Sequence, residues 1–458
     1  MTAPSDDAPE SGGASSVNAP ASLVAPPDSP GYRTPDLVLR RTSRETRPPV
    51  RLQDFVTYQT KVLEYISLAE DLMKLDLDGV SKALDLISDA LSSCSHSNRL
   101  MEMKANALLK LRRYEDAIRY CELTPDSDGK DYISKQWRLN VIAKSYFYSG
   151  KLDEALEAIK RNEQATVDSE WYEFDSSSSE TEKEFELNEN KAPEPDITFL
   201  VTLRELAHLK TAGNEAFHAT RYAEAVEHYS AAIALSTESR FFTAVCLCSR
   251  AAAYQAMCHI VNAIADCSLA IALDPTHTKA FSRRAVLYDM IRDYNQEAND
   301  LRMLISLLEK QQQENQTGKS SKTNTSDYLN RVHRRLLSAE DSTKKSIPLN
   351  FYLILGVDDT ASEDDVKNAY DKAALRHRPD MVIQSLPKNE MVDGDAISIE
   401  ITGRVHKDAD HLFEIIGEAY AVLSDTTKRA KYDSDEEKRQ TKKTYGTVST
   451  PRKSPLGG

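Results

Sequence analysis

The sequence predicts an all-α protein: stacked helical hairpins, closed by a small helical module of a different kind. Three observations carry this. Ala83, Ala117 and Ala155 lie 34 and 38 residues apart, a period that marks paired-helix repeats. A similar alternation of small and aromatic residues resumes near residue 203, after a polar break. From Asn350 onward the pattern changes to two apolar stripes at helical spacing, the first preceded by a capping signature. With 40% hydrophobic and 28% charged residues over 458 positions, the composition suits helices with much solvated surface.

Taken in order, residues 1–50 hold nine of the 18 prolines and many serines, and are expected to form a disordered tail. Arg40, Arg41, Arg44 and Arg47 read there as a solvated charge run, with a phosphorylation or docking role as the alternative. Residues 51–166 form a first repeat block, in GVSKALDLISDAL, YEDAIRYCEL and LDEALEAIKR. Ala105 and Ala143 on first helices, and Ala117 and Ala155 on second helices, sit where helices cross closely. Leu108, Tyr146, Tyr114 and Leu152 fill the gaps. Residues 167–200 read as an acidic, serine-rich flexible linker, whose serines 176–179 precede acidic residues as in an acid-directed kinase site.

The second block spans 201–310. Gly213, Phe217, Tyr222, Ala225, Tyr229 and Ala232 occupy one repeat's key positions. Ala251, Tyr254, Ala263, Cys267, Ala270 and Pro275 occupy the next, and Ala285, Tyr288 and Tyr294 start a third. These residues resemble the tetratricopeptide (TPR) repeat family. Glu297 departs from it, standing where a small residue is expected, with Ala298 one place late; a shifted closing helix would follow. Residues 311–346 read as a linker and a basic amphipathic helix, YLNRVHRRLLSAE, that caps the repeats or bridges to the last module.

Bulk properties exclude several functions. A net charge of −14 provides no field for broad nucleic-acid binding. No apolar run approaches membrane-spanning length, and the acidic start lacks a signal peptide's layout. Cys94, Cys121, Cys246, Cys248, Cys258 and Cys267 fall inside helical patterns without a paired metal spacing, so they read as small apolar thiols of a reducing compartment. Cytosol, with access to the nucleus, is the expected location. No glycine loop for phosphate, no metal-ligand cluster and no nucleophile–base spacing is found, so no enzyme, cofactor or metal is expected.

The TPR resemblance implies a site. TPR blocks that dock chaperone tails hold a Glu-Glu-Val-Asp end, with its two carboxylates on one residue, in a clamp of cationic and amide donors. The family pattern falls on Lys210 and Asn214, then Ser249 in place of an asparagine, then Lys279 and Arg283. Each outer pair is four apart, hence on one helix face. Serine is shorter than asparagine, which implies a weaker or water-bridged central contact. The first block lacks this start, and its ligand is not readable.

Residues 347–435 resemble a J-domain, on LGV, AYDKAAL, EAYAVLSD and KRAKYD. The order of modules is similar to TPR-bearing J-proteins, especially a plant group with an insert before the third helix; no Gly/Phe-rich or zinc-binding region accompanies it. Ser362 with Asp365 forms the capping box; Val366, Ala369, Tyr370, Ala373 and Ala374 should zip against Phe413, Ile416, Tyr420 and Leu423. The family's His-Pro-Asp, with a basic second helix, engages the 70-kDa heat-shock ATPase. Here the tripeptide is Arg378-Pro379-Asp380, and His377 falls one place early. Lys367, Lys372 and Arg376 keep part of the basic face; Asn368, Asp371 and Met381 thin it. Weak or absent stimulation is implied. The insert 381–409 is expected to be a solvated loop, and 436–458 a flexible basic tail. The resulting expectation is a co-chaperone adaptor with 70-kDa or 90-kDa heat-shock chaperones and unidentified clients as partners. The alternative is a chaperone-independent scaffold.

Overall fold

Every regular element among the described residues is an α-helix. The structure, a computed structural model, describes residues 50–93, 97–123, 132–161, 197–236, 238–314, 322–384 and 396–446. The expected tail with its arginine cluster, Cys94, the serine run 176–179 and most of the 167–200 linker lie outside them. The chain divides into two units, Met1–Thr57 and Tyr58–Gly458. Only the opening of the first helix is described in the former; every later helix belongs to the latter.

The hairpins pair α1 (Val50–Met73) with α2 (Leu77–Ser93), α3 (Asn98–Lys110) with α4 (Tyr114–Leu123), and α5 (Tyr132–Tyr148) with α6 (152–161). They continue with α7 (Ile197–His218) and α8 (Tyr222–Leu235), α9 (Arg240–Ala256) and α10 (Ile260–Leu273), and α11 (Thr278–Ile291) and α12 (Tyr294–Glu314). From α3 to α12 each hairpin turns on one left-handed residue: Arg112, Gly150, Thr220, Cys258 and Arg292, with φ of 58, 79, 61, 58 and 65°. The next amide then closes the helix end, as in Lys151 N donating to Tyr146 O at 2.8 Å and His259 N to Tyr254 O at 2.9 Å. Cys258 is therefore an exposed turn residue, a correction to its helical assignment.

Five residues after each such turn stands the small residue of the second helix: Ala117, Ala155, Ala225 and Ala263, all 0% exposed. In the last hairpin that place is Glu297, also buried, with Ala298 buried beside it. Its carboxylate accepts from Arg335 Nε at 2.7 Å. Arg335 belongs to α13 (Lys322–Lys344), which lies along α12 and stands where the next repeat would begin. A large anionic residue is tolerated because a cation arrives with the covering helix.

Gly213 shows how tight the crossings are. A Cβ there would come within 2.6 Å of the Tyr229 ring. Glycine costs a helix about 1 kcal/mol against alanine, whereas overpacking costs about 1–3 kcal/mol. Gly213→Ala is thus expected to lower stability despite better helix propensity, read as a lower urea midpoint at unchanged slope. The two repeat blocks share a core: Phe147 of α5 meets Phe199 of α7 and Phe242 of α9 at 5.7 and 6.2 Å between centroids. Ser239 Oγ donates to Phe147 O at 2.7 Å.

The C-terminal module comprises α14 (Phe351–Leu355), α15 (Glu363–Arg376), α16 (Pro379–Gln384), α17 (Ala396–Leu423) and α18 (Thr426–Gly446). The Ser362–Asp365 capping box is formed. Three expectations are corrected. The insert 381–409 is not wholly loop: α16 reaches Gln384 and α17 starts at Ala396, because Ile401, Val405 and Ala409 are buried, the first two in the core of α12 and α13. Residues 436–446 continue α18, and Glu436 takes Arg292 in a bidentate pair at 2.6 and 2.8 Å. Phe413 is 37% exposed, since the buried stripe runs through Leu412, Ile415, Ile416, Ala419 and Leu423 instead. Tyr420 stacks on Tyr370 at 4.1 Å.

This module is not a separate bead. Ile260, Ile264, Leu287 and Ile291 of the repeats share one core with Phe351, Val366, Leu412 and Ile416. Polar contacts frame that core: Asn350 N donates to Ile291 O at 2.9 Å, and His411 Nε2 meets Asp293 Oδ2 at 2.7 Å. No helix among the described residues is long and apolar enough to cross a membrane.

Candidate functional site

The groove residues come from first helices only: Lys210 and Asn214 from α7, Ser249 from α9, Lys279 and Arg283 from α11. Two thiols of α9 are buried among these helices. Burial pushes Cys246 up to about 12, and Lys210 is the first cation opposing that shift. Burial likewise raises Cys248, opposed by Arg283 and then Lys279. These thiols stay protonated and packed.

Each donor has a distinct setting. Asn214, an exposed residue, accepts at Oδ1 from Tyr229 Oη at 2.8 Å, which assigns its amide nitrogen as the donor end. Lys210 Nζ lies 3.6 Å from Asp153 Oδ2, whose side chain is 84% exposed. Such a surface pair is worth about 0–1 kcal/mol, so a ligand carboxylate can replace it. Lys279 is exposed, and Arg283 Nη1 is braced by Gln255 Oε1 at 3.1 Å. Ser249 departs from expectation: its hydroxyl donates to Val245 O at 3.0 Å, back onto its own helix. The central donor is thus diverted onto its own helix.

In the second candidate site, Arg378 and Asp380 pair with each other, at 3.1 and 2.8 Å, both about half exposed. Pro379 opens α16, where its missing N–H costs nothing. Lys367, Lys372 and Arg376 are all exposed, yet they do not form one face. Lys372 and Arg376 line an open cleft between α15 and the start of α10, with Asn368 and Leu375; Lys367 lies outside it.

His377 does not serve as a displaced loop histidine. It is 4% exposed, and its Nε2 lies 2.9 Å from Asn262 Oδ1 of α10. Burial, helped by Arg376, holds its pKa at about 4, so it is neutral. Being depressed, it contributes stability that is present above its ordinary pKa near 6.5 and lost as pH falls towards 4. Between pH 7.5 and 5 the protein should lose about 2 kcal/mol more than His377→Gln, measured by urea unfolding. His411 slopes the other way, its pair with Asp293 raising its pKa, and is common to both proteins.

Sequence reasoning missed the buried ion pairs inside the repeats. Arg250 chelates Asp266 at 2.8 and 2.7 Å, and Arg284 chelates Asp300 at 2.9 and 2.7 Å. Both pairs are 16 residues apart, a repeat signal that was legible. Arg284 also reaches Ser268 and, in the C-terminal module, Asp408.

Stacked hairpins with alanine crossings, followed by a capped helix pair carrying AYDKAAL and EAYAVLSD, define a TPR-repeat protein with a J-domain-like module. No family model matches the chain. A DnaJ homolog subfamily C member 7 homolog of Dictyostelium discoideum is 28% identical over 359 residues, 78% of this chain and 55% of that protein. The Homo sapiens DnaJ homolog subfamily C member 7 is 31% identical over 229 residues, 50% of this chain and 39% of that one. A chaperone protein DnaJ of Fusobacterium nucleatum is 39% identical over 84 residues, 18% of this chain and 17% of that protein. The chain thus spans about half the length of the first of these relatives and less of the others.

Proposed function

We propose that this protein is a co-chaperone adaptor. Its second TPR block takes the acidic C-terminal tail of 70-kDa or 90-kDa heat-shock chaperones, and its J-like module touches the chaperone body with weak or no stimulation of ATP hydrolysis. The observation that carries this is geometric: Tyr229 fixes the Asn214 amide at its oxygen, and Gln255 of α9 braces Arg283, on the first helices that also carry Lys210 and Lys279. Charge-assisted bonds to two carboxylates are the strong kind, and linked weak sites raise effective concentration. The same reading places its work in the cytosol, with access to the nucleus.

The test is capture of purified 70-kDa and 90-kDa chaperones, intact and without their last four residues; capture should follow the tail. Weak stimulation is supported by Arg378, which is engaged by Asp380 and lacks imidazole's neutral donor and acceptor. Arg378→His is expected to raise steady-state ATP hydrolysis by the 70-kDa chaperone several-fold over the native chain; equal rates would remove that part of the reading. A chaperone-independent scaffold is the second reading, favoured by the diverted Ser249 hydroxyl. Equal capture of tailless chaperone would support it.

A further inference from the structure

We propose that Asn262, on the second helix of a TPR hairpin, is a positioning residue for the J-like module's contact loop, so that the repeat block completes that module's working surface. The loop is short. Helix α15 ends at Arg376, His377 caps it, and α16 begins at Pro379. Met381 N and Val382 N both donate to Arg378 O, at 3.0 and 3.1 Å, so the start of α16 hangs on the Arg378 carbonyl. The residue immediately before that hinge is His377, held by Asn262. Ala265 and Leu269 of α10 line the small cavity beside the imidazole, with Val382, Val405 and Leu412 of the module around it. An imidazole fixed at Nε2 and enclosed on both sides leaves its successor one way to point. Arg378 accordingly projects outward, half exposed, and meets Asp380.

One turn along α10 from Asn262, the buried Asp266 carboxylate is chelated by Arg250 of α9, which ties this part of α10 to α9. Asn262 thus meets the end of α15 from a helix held in place four residues further on. That helix pairs with α9, which carries Ser249 and the wall of the groove. Groove and loop are therefore fixed to one hairpin. The functional meaning rests on reading 378–380 as a chaperone contact, but the anchoring itself is measurable without any chaperone.

The test is amide hydrogen exchange followed by mass spectrometry on the full chain. Asn262→Ala and His377→Ala should each speed exchange at Met381 and Val382 at least tenfold, and the double variant should be no faster than either single one. His377→Gln, whose side-chain Nε2 can donate to Asn262, should keep native protection. Protection across α9 should be unchanged in all four, which separates loop release from loss of fold. The proposal is overturned if Asn262→Ala leaves loop exchange within twofold of native, or if His377→Gln exchanges like His377→Ala. Neither outcome touches the groove reading, which capture of the chaperone tail tests separately.

Discussion

Replacing Lys279 and Arg283 together by alanine is expected to remove binding of a Glu-Glu-Val-Asp peptide, a loss of at least about a hundredfold. Hydrogen bonds to charged groups contribute about 1.5–3 kcal/mol each, so two lost donors remove about 3–6 kcal/mol, and a groove open to water favours the lower figure. Arg283 matters more of the two, because Gln255 already holds its fork in place and less freedom is lost on binding. Lys210→Ala should cost less than the pair, since its ammonium leaves Asp153 to meet the ligand. Calorimetric titration of the full chain reads these differences. Lys279 is exposed, so its loss leaves the fold intact, which unfolding curves check.

The largest effect on stability is expected from Arg284→Ala, at about 3–5 kcal/mol, the range for breaking a buried ion pair from one side. Arg284 has 9% of its side chain exposed and Asp300 5%. Removing the guanidinium leaves Asp300 buried without its cation and takes the partner from Asp408 as well. Asp408→Ala should cost much less. Its side chain is 30% exposed, and Arg284 keeps Asp300 and Ser268. The two variants differ in kind: the first weakens the last repeat, the second only one tie to the C-terminal module. Urea unfolding, with the slope compared as well as the midpoint, distinguishes them.

Much of the repeat architecture was legible because close helix crossings admit only small side chains; Ala117, Ala155, Ala225 and Ala263 could hardly be anything larger. Glu297 was visible as an exception, but its reason, Arg335 arriving from α13, lies outside any periodicity. The hairpin turns were not legible: of their left-handed residues only Gly150 is a glycine. Spacing nominates the outer candidate residues, but the direction of the Ser249 hydroxyl was not legible, since serine bonds as readily to its own helix as to a ligand. The joint between repeats and module was hidden for a different reason. Asp293, Asp408, His411 and Glu436 look like solvated surface in sequence and become interface only when the two parts meet. An exposed Phe413 followed from the same event, because docking selects which stripe of α17 is buried.

The decisive comparison is between two pentadecapeptides ending in Glu-Glu-Val-Asp, one with a free terminal carboxylate and one amidated, titrated by calorimetry against the full chain. The free acid is expected to bind, and amidation to weaken it at least tenfold, with the difference shrinking as salt is raised. Equal affinity for the two would contradict the clamp, because the cations of α7 and α11 would then not be reading a chain end.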